Sequence, residues 1–408
     1  MEKRILDKWI LLSFISLFIV AILGVLMRYK ISFSFPYLDQ KNLQNAHSHF
    51  AFLGWISQTI YLLLINTLGT SIGLKRVQLY NYFLGANWIS AIGMLIAFSL
   101  QGYAFYSIAF SGFSIFLSFV FIVIFWKDIK MLKNKTAGLW FKYALICMLI
   151  STLGTISLIF MLASKTVEQE TYLVSIFWYL HFQYNGWFFF SIIGLVFNHF
   201  GQSNEYFKTN RLAFKLLAFS SIPAYGLSVL WLHLPLWLLI IIAMAAISQT
   251  IGWALLVYNV FKQNILKDIK IHEYVKWLLL IIAVTGSIKF CLQLGSTIPS
   301  ISQLAFGFRP IVIAYLHLVL LAFLSLLIIA YMFMNELVKI SKITITGMII
   351  FVFGILINEF LLAMQGVLSF KYILIPNINY YLFAASLMLL TGTFLLALSQ
   401  FNLIKKVN

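Results

Sequence analysis

Residues 310–334 read PIVIAYLHLVLLAFLSLLIIAYMFM, a run with no acidic residue, no lysine and no arginine, and one histidine, His317, a short way in. A helix of this composition is apolar all round, so it has no face to offer water. It is longer than the roughly 20 residues that a bilayer core demands of a spanning helix. Arg309 precedes it and Pro310 sits at a good first-turn position, where its missing N–H costs nothing. The stretch therefore predicts a transmembrane helix that carries a single imidazole.

Working outward from it, similar runs lie at about 8–28, 46–68, 78–101, 104–126, 139–163, 172–199, 212–231, 235–260, 275–296, 310–334, 343–367 and 378–402. They are too long for strands and lack alternation, which argues against a membrane β-barrel. The expectation is an all-α integral membrane protein, a bundle of twelve transmembrane helices, with residues 1–408 forming one polytopic membrane domain. Composition agrees: 62% of the 408 residues are apolar and 10% are charged, against about 25% charged in a soluble protein. That balance excludes a soluble enzyme, a disordered chain and a disulfide scaffold.

Orientation follows from the basic residues. The N-terminus, the C-terminus and the loops at 69–77, 127–142, 200–215, 261–276 and 335–342 carry 21 of the 28 Lys and Arg. The opposite loops hold Arg28, Lys30, Lys41, Lys165, Arg309 and Lys371. Both termini are therefore expected in the cytoplasm, as an even number of spans requires. The net charge of +17 reads as this topology bias and an attraction to anionic lipid, with no call for a nucleic acid. The first run ends at Arg28-Tyr29-Lys30 without a small-residue cleavage site, so it reads as a true first helix rather than a cleaved signal. Cys147 and Cys291 fall inside spans and imply neither a disulfide framework nor a zinc site. No CxxCH motif is present, which excludes covalent c-type haem.

Ionisable residues inside a bilayer are costly and are functional candidates by default. Glu359 and Lys289 are the acid and the base well inside spans, and both sit in the outer halves of their helices, where an ion pair is open to them. Histidines carry more. His47 and His49 start the second expected helix, His181 lies in the sixth, His233 ends the seventh and His317 lies in the tenth. All five fall in the outer third to half of the membrane, while His199 and His272 fall on the cytoplasmic side. Neutral imidazole ligates haem iron, copper and zinc, and two histidines on facing helices can clamp a haem from both sides. His47 and His49 are two residues apart, so they point roughly 200° from each other on a helix. Near His181, the run Tyr179-Leu180-His181-Phe182-Gln183-Tyr184-Asn185 puts Asn185 one turn further along the same face.

With those motifs in hand, the chain resembles the subunit I superfamily of haem–copper oxidases and nitric oxide reductases. That family has twelve helices with both termini inside. Its helix 2 and helix 10 histidines bind haem, and its helix 6 and helix 7 histidines bind copper or non-haem iron. Ala46-His47 resembles the helix 2 pattern, with His49 as an alternative. Ala314-Tyr315-Leu316-His317-Leu318-Val319-Leu320 resembles the helix 10 H-x-H pattern, with His317 at the low-spin haem ligand and Tyr315 at the active-site haem ligand. His181 falls at the helix 6 metal ligand. Trp231-Leu232-His233-Leu234 resembles the helix 7 motif, with Leu234 in place of its second histidine. The family's tyrosine or glutamate one turn after the helix 6 histidine is Asn185 here. Lys371, with Arg309 as a second candidate, resembles the basic residues that meet haem propionates.

The resemblance implies a haem b-binding protein of a bacterial cytoplasmic (inner) membrane, with an intact bis-His low-spin site and a degenerate reductive centre. Its role would be electron transfer, or redox or gas (NO, O2) sensing; as an enzyme it would be a membrane oxidoreductase. Copper or non-haem iron at His181 and His233 is the further cofactor implied, and quinol or another redox subunit the partner. Two other readings stand beside it. One is a cofactor-free transporter or channel lined by Gln183, Asn185, Gln293, Asn358, Glu359 and Gln365. The other is an NnrS-like nitric-oxide-response haem protein, which also has twelve spans and an early His-x-His.

Overall fold

The computed structural model describes residues 2–200, 204–262, 273–302, 308–369 and 371–405, and among them it is entirely helical. Ten helices are long and apolar enough to cross a bilayer: Lys3–Ser32, Gln40–Thr67, Leu74–Gln101, Phe105–Met131, Lys135–Leu162, Leu236–Lys262, Glu273–Gly295, Arg309–Met334, Lys342–Ser369 and Ile378–Phe401. The runs expected at 172–199 and 212–231 are helical too but lie outside those ten. The first is built from Gln169–His181, Phe182–Phe188 and Phe189–Phe200. The second is Asn204–Ser221, followed by a 3-10 segment at Pro223–Ser228. Helices dominate because a lipid core supplies no partner for backbone N–H and C=O groups, so each segment must satisfy its own.

Local chemistry sets several of the ends. Asp39 caps the His47 helix by accepting from the N–H groups of Lys41 and Asn42, both at 2.9 Å. Asn134 caps the Lys135–Ser164 helix in the same way, accepting from Thr136 and Ala137. Such caps satisfy donors that the first helical turn leaves bare. Gly102 closes the Leu74–Gln101 helix at φ +63°, a left-handed conformation that suits glycine.

The chain divides into two compact units, where the sequence suggests one membrane domain. One unit is Met1–Met131 with Asn335–Asn408, and the other is Leu132–Met334. In the first, the Lys342–Ser369 and Ile378–Lys405 helices meet through small residues. A Cβ added to Gly392 would lie 2.7 Å from the backbone of Phe351, and one on Gly347 would lie 3.2 Å from the Gly392 carbonyl. Close approach through small residues is how membrane helices gain van der Waals contact without a hydrophobic driving force. Polar glue supplements it: Asn87 donates to Gln58 at 2.6 Å, and Gln58 donates to the Leu84 carbonyl at 3.1 Å. Buried Asp128 is paired, accepting from Arg76 at 2.7 and 2.9 Å and from the Tyr80 hydroxyl at 2.7 Å. A buried carboxylate without such partners would be expensive.

In the second unit, Gly154 lets the Lys135–Ser164 helix approach the His181 helix. A Cβ there would lie 2.5 Å from the Ser175 carbonyl. Trp178 donates its indole N–H to the Ile150 carbonyl at 2.8 Å, and Ser175 donates to Ser157 at 2.9 Å, fastening the same pair.

Candidate functional site

Three helices leave α geometry shortly after a histidine, two of them at the very next residue. The His47/His49 helix turns into a π-helical segment at Ala51–Ser57, the His181 helix at Phe182–Phe188, and the His317 helix at Leu318–Ser325. No other described residues are π-helical. A π segment widens the turn by one residue, is rare, and concentrates at functional sites. Packing around two of them depends on glycine. A Cβ on Gly54 would lie 2.6 Å from the Phe50 ring, and one on Gly186 would lie 2.6 Å from the Cys147 Cβ. In the third, the Ser325 hydroxyl donates to the Leu320 carbonyl five residues back, at 2.7 Å.

In the first unit the two neighbouring histidines point apart, as their spacing predicts. His49 stacks flat on Phe98, with ring centroids 4.3 Å apart and planes 4° from parallel. Its Nε2 is 3.2 Å from the Tyr103 hydroxyl. His47 instead turns toward the first helix, where its Cε1 lies 3.7 Å from the place a Gly24 Cβ would take. Both imidazoles are half-buried. Lys371 is exposed in the turn after the Lys342–Ser369 helix.

In the second unit, His317 and Tyr315 are half-buried, and Arg309 is exposed at the start of the same helix. His317 Nδ1 is 2.9 Å from the carbonyl of Ile313, one turn back. A carbonyl only accepts, so Nδ1 carries the proton and the basic lone pair resides on Nε2. Tethering one ring nitrogen to a backbone carbonyl is how proteins fix the tautomer and aim of a ligating imidazole.

His181 lies in a different setting. It is buried, and its Nε2 is 2.8 Å from the carbonyl of Ser221, so here Nε2 carries the proton. Nδ1 is then an acceptor for the Asn185 amide, whose Nδ2 is 3.3 Å away. As placed, His181 offers a metal no lone pair without loss of the Asn185 bond. Around it, Tyr225 packs edge-on to the imidazole and to Trp178, while Gln183 donates to Ser151 at 2.9 Å. His233 is exposed in the connection between Pro223–Ser228 and the Leu236–Lys262 helix, past the end of helical structure. His272 lies outside the described residues. Among those described, no three His, Cys, Asp or Glu side chains gather as a metal-binding group.

Lys289 and Glu359 fall in different units. Lys289 is buried and donates to Gln293 at 2.9 Å, whereas Glu359 accepts from its neighbour Asn358 at 3.2 Å. Sequence reasoning passes over Ser221, whose backbone carbonyl holds His181, because carbonyl contacts carry no residue signature. Gln249, a buried amide of the Leu236–Lys262 helix, is also missed, although a lone glutamine in an apolar run is a readable signal.

No protein-family model matches this chain, and no curated protein matches it either. The functional reading therefore stands on residues, geometry and the family resemblance of the short histidine motifs.

Proposed function

We propose that this chain is a haem b-binding membrane protein resembling subunit I of the haem–copper oxidases, with His317 as an axial ligand of a low-spin haem. The observation that carries the reading is the bond from His317 Nδ1 to the Ile313 carbonyl at 2.9 Å, which leaves Nε2 as the basic nitrogen. The sequence resemblance alone implies a further ligand on the Gln40–Thr67 helix, His47 or, in its place, His49, which lies flat on Phe98 with Nε2 3.2 Å from the Tyr103 hydroxyl. When bound, a bis-histidine haem supplies one-electron transfer. The chain's own part is to hold His317 in one tautomer and one direction. Arg309 and Lys371 offer cations for carboxylate groups. Tyr315 is read as a packed aromatic, and no reductive step is assigned to His181.

The same reading takes the chain across the membrane twelve times, adding 169–200 and Asn204–Ser221 to the ten long apolar helices, with both termini cytoplasmic. The basic loops support that orientation. A bacterial cytoplasmic membrane suits it, as does electron supply from quinol or from a redox subunit.

The deciding experiment is a reduced-minus-oxidised absorption spectrum of the protein purified in detergent after expression with ample haem. A Soret band with bis-histidine features is expected, and His317→Ala should abolish it. A colourless protein would refute the reading and favour a cofactor-free transporter.

A further inference from the structure

The second unit contains a small cavity of about 10 Å³, lined by residues that include Asn185, Gln249, Lys289, Phe189, Phe290 and Leu217. That is close to the smallest space that holds one water molecule. Three of its lining side chains are polar and nearly completely buried, with exposures of 5% for Asn185, 4% for Gln249 and 2% for Lys289. Two of them have a buried oxygen without a hydrogen-bond partner, Asn185 Oδ1 and Gln249 Oε1. Orphaned acceptors in a low-dielectric interior are costly, and a native fold that retains them calls for an unseen partner.

Lys289 brings donors to the same cavity. Its ammonium has three N–H groups and no acceptor. One goes to Gln293, and Nζ sits 3.8 Å from the Phe290 ring centroid, a cation–π contact. Lys289 makes no salt bridge among the described residues. Of the titratable groups near it, His181 faces the cavity through Asn185, and Asn185 cannot be turned around. The neutral His181 Nδ1 needs a donor, so Nδ2 must face the imidazole and Oδ1 must face away from it. The orphan Asn185 oxygen is therefore a genuine demand for a donor, and the Gln249 oxygen is a second buried acceptor at the same cavity.

We propose that this cavity is a built site for one internal water, held by Lys289, Asn185 and Gln249. The water accepts from the ammonium and donates to the two amide oxygens. It completes a hydrogen-bonded chain that runs from Lys289 through Asn185 and His181 to the Ser221 carbonyl, joining four helical segments of the unit. The chemistry selects the occupant. A halide would meet two carbonyl oxygens that repel it, and a cation would meet the ammonium. None of the three residues is a proposed haem ligand, so the proposal does not depend on haem binding.

The test is X-ray radiolytic footprinting of the purified full-length protein in ¹⁸O-water, read by mass spectrometry. Bound water activated in place oxidises the side chains beside it even when they are buried. Phe189 and Phe290 should gain oxygen several-fold faster than Phe121 and Phe125, which are also buried, within an aromatic cluster. Gln249→Leu fills the space and removes an acceptor, and it should bring Phe189 and Phe290 down to the rate of Phe121. Wild-type labelling no faster than that of Phe121 overturns the proposal without any variant. Undiminished labelling in a folded Gln249→Leu protein overturns it as well.

Discussion

His317 and His181 sit in the same unit, each on the last α-helical residue before a π turn, yet they are fastened in opposite ways. His317 is tied to its own helix, through Ile313 one turn back. His181 is tied across the unit, through the Ser221 carbonyl, and its other nitrogen is taken by Asn185. A tether to the parent helix fixes a ring's tautomer and its direction relative to that helix. A tether to a neighbouring segment turns the ring into a staple between them. Two histidines of similar local backbone can thus differ in kind: one is tied within its own helix and the other joins two segments of the fold.

The largest effect expected from this contrast is spectroscopic. His317→Ala should remove the low-spin haem signal altogether, while His181→Ala should leave its band positions unchanged; absorption spectra of the two purified variants decide it. Next in size is a deletion of one residue within 318–325, which converts the π turn to α geometry. It rotates His317 by roughly 100° relative to the helix that follows. Membrane insertion should survive, and haem content per protein, measured by pyridine haemochrome, should fall most of the way toward that of His317→Ala. If haem content is unaffected, the π turn does not aim this histidine.

Third, His181→Ala should cost about 2–4 kcal/mol of stability, from the cavity it opens and the Ser221 carbonyl it orphans. The expected result is a lower thermal midpoint in detergent, and an unchanged midpoint would mean His181 is no staple. The smallest effect should come from His49→Phe. It keeps the stack on Phe98 and loses the Tyr103 contact, worth about 1 kcal/mol, with haem retained. Loss of haem in that variant would move the axial assignment from His47 to His49.

Hydropathy made the helical membrane architecture legible, because lipid demands long apolar runs. Spacing also told the truth about His47 and His49, which do face different neighbours, and about Asn185, which does meet His181. What sequence could not carry was the backbone irregularity. A π turn has no residue signature of its own, and it persists only because contacts such as Gly186 against Cys147 suit the widened turn. Long-range carbonyl partners were equally invisible, so the Ser221 hold on His181 had to come from the structure. His233 poses the reverse case. Its motif looked ligand-like, but Pro235 follows within two residues, and the histidine lies exposed in the connection before the next helix.

The π turns also bear on ancestry. Each is, in effect, a single residue inserted into a helix, and a helix that acquires one keeps it only while the surrounding packing tolerates it. A relative of this chain that never gained the insertion would be one residue shorter within 51–57, 182–188 or 318–325. An indel inside a transmembrane helix is usually taken as a sign of misalignment. In this lineage, such an indel beside a histidine would date the moment when that imidazole took its present direction.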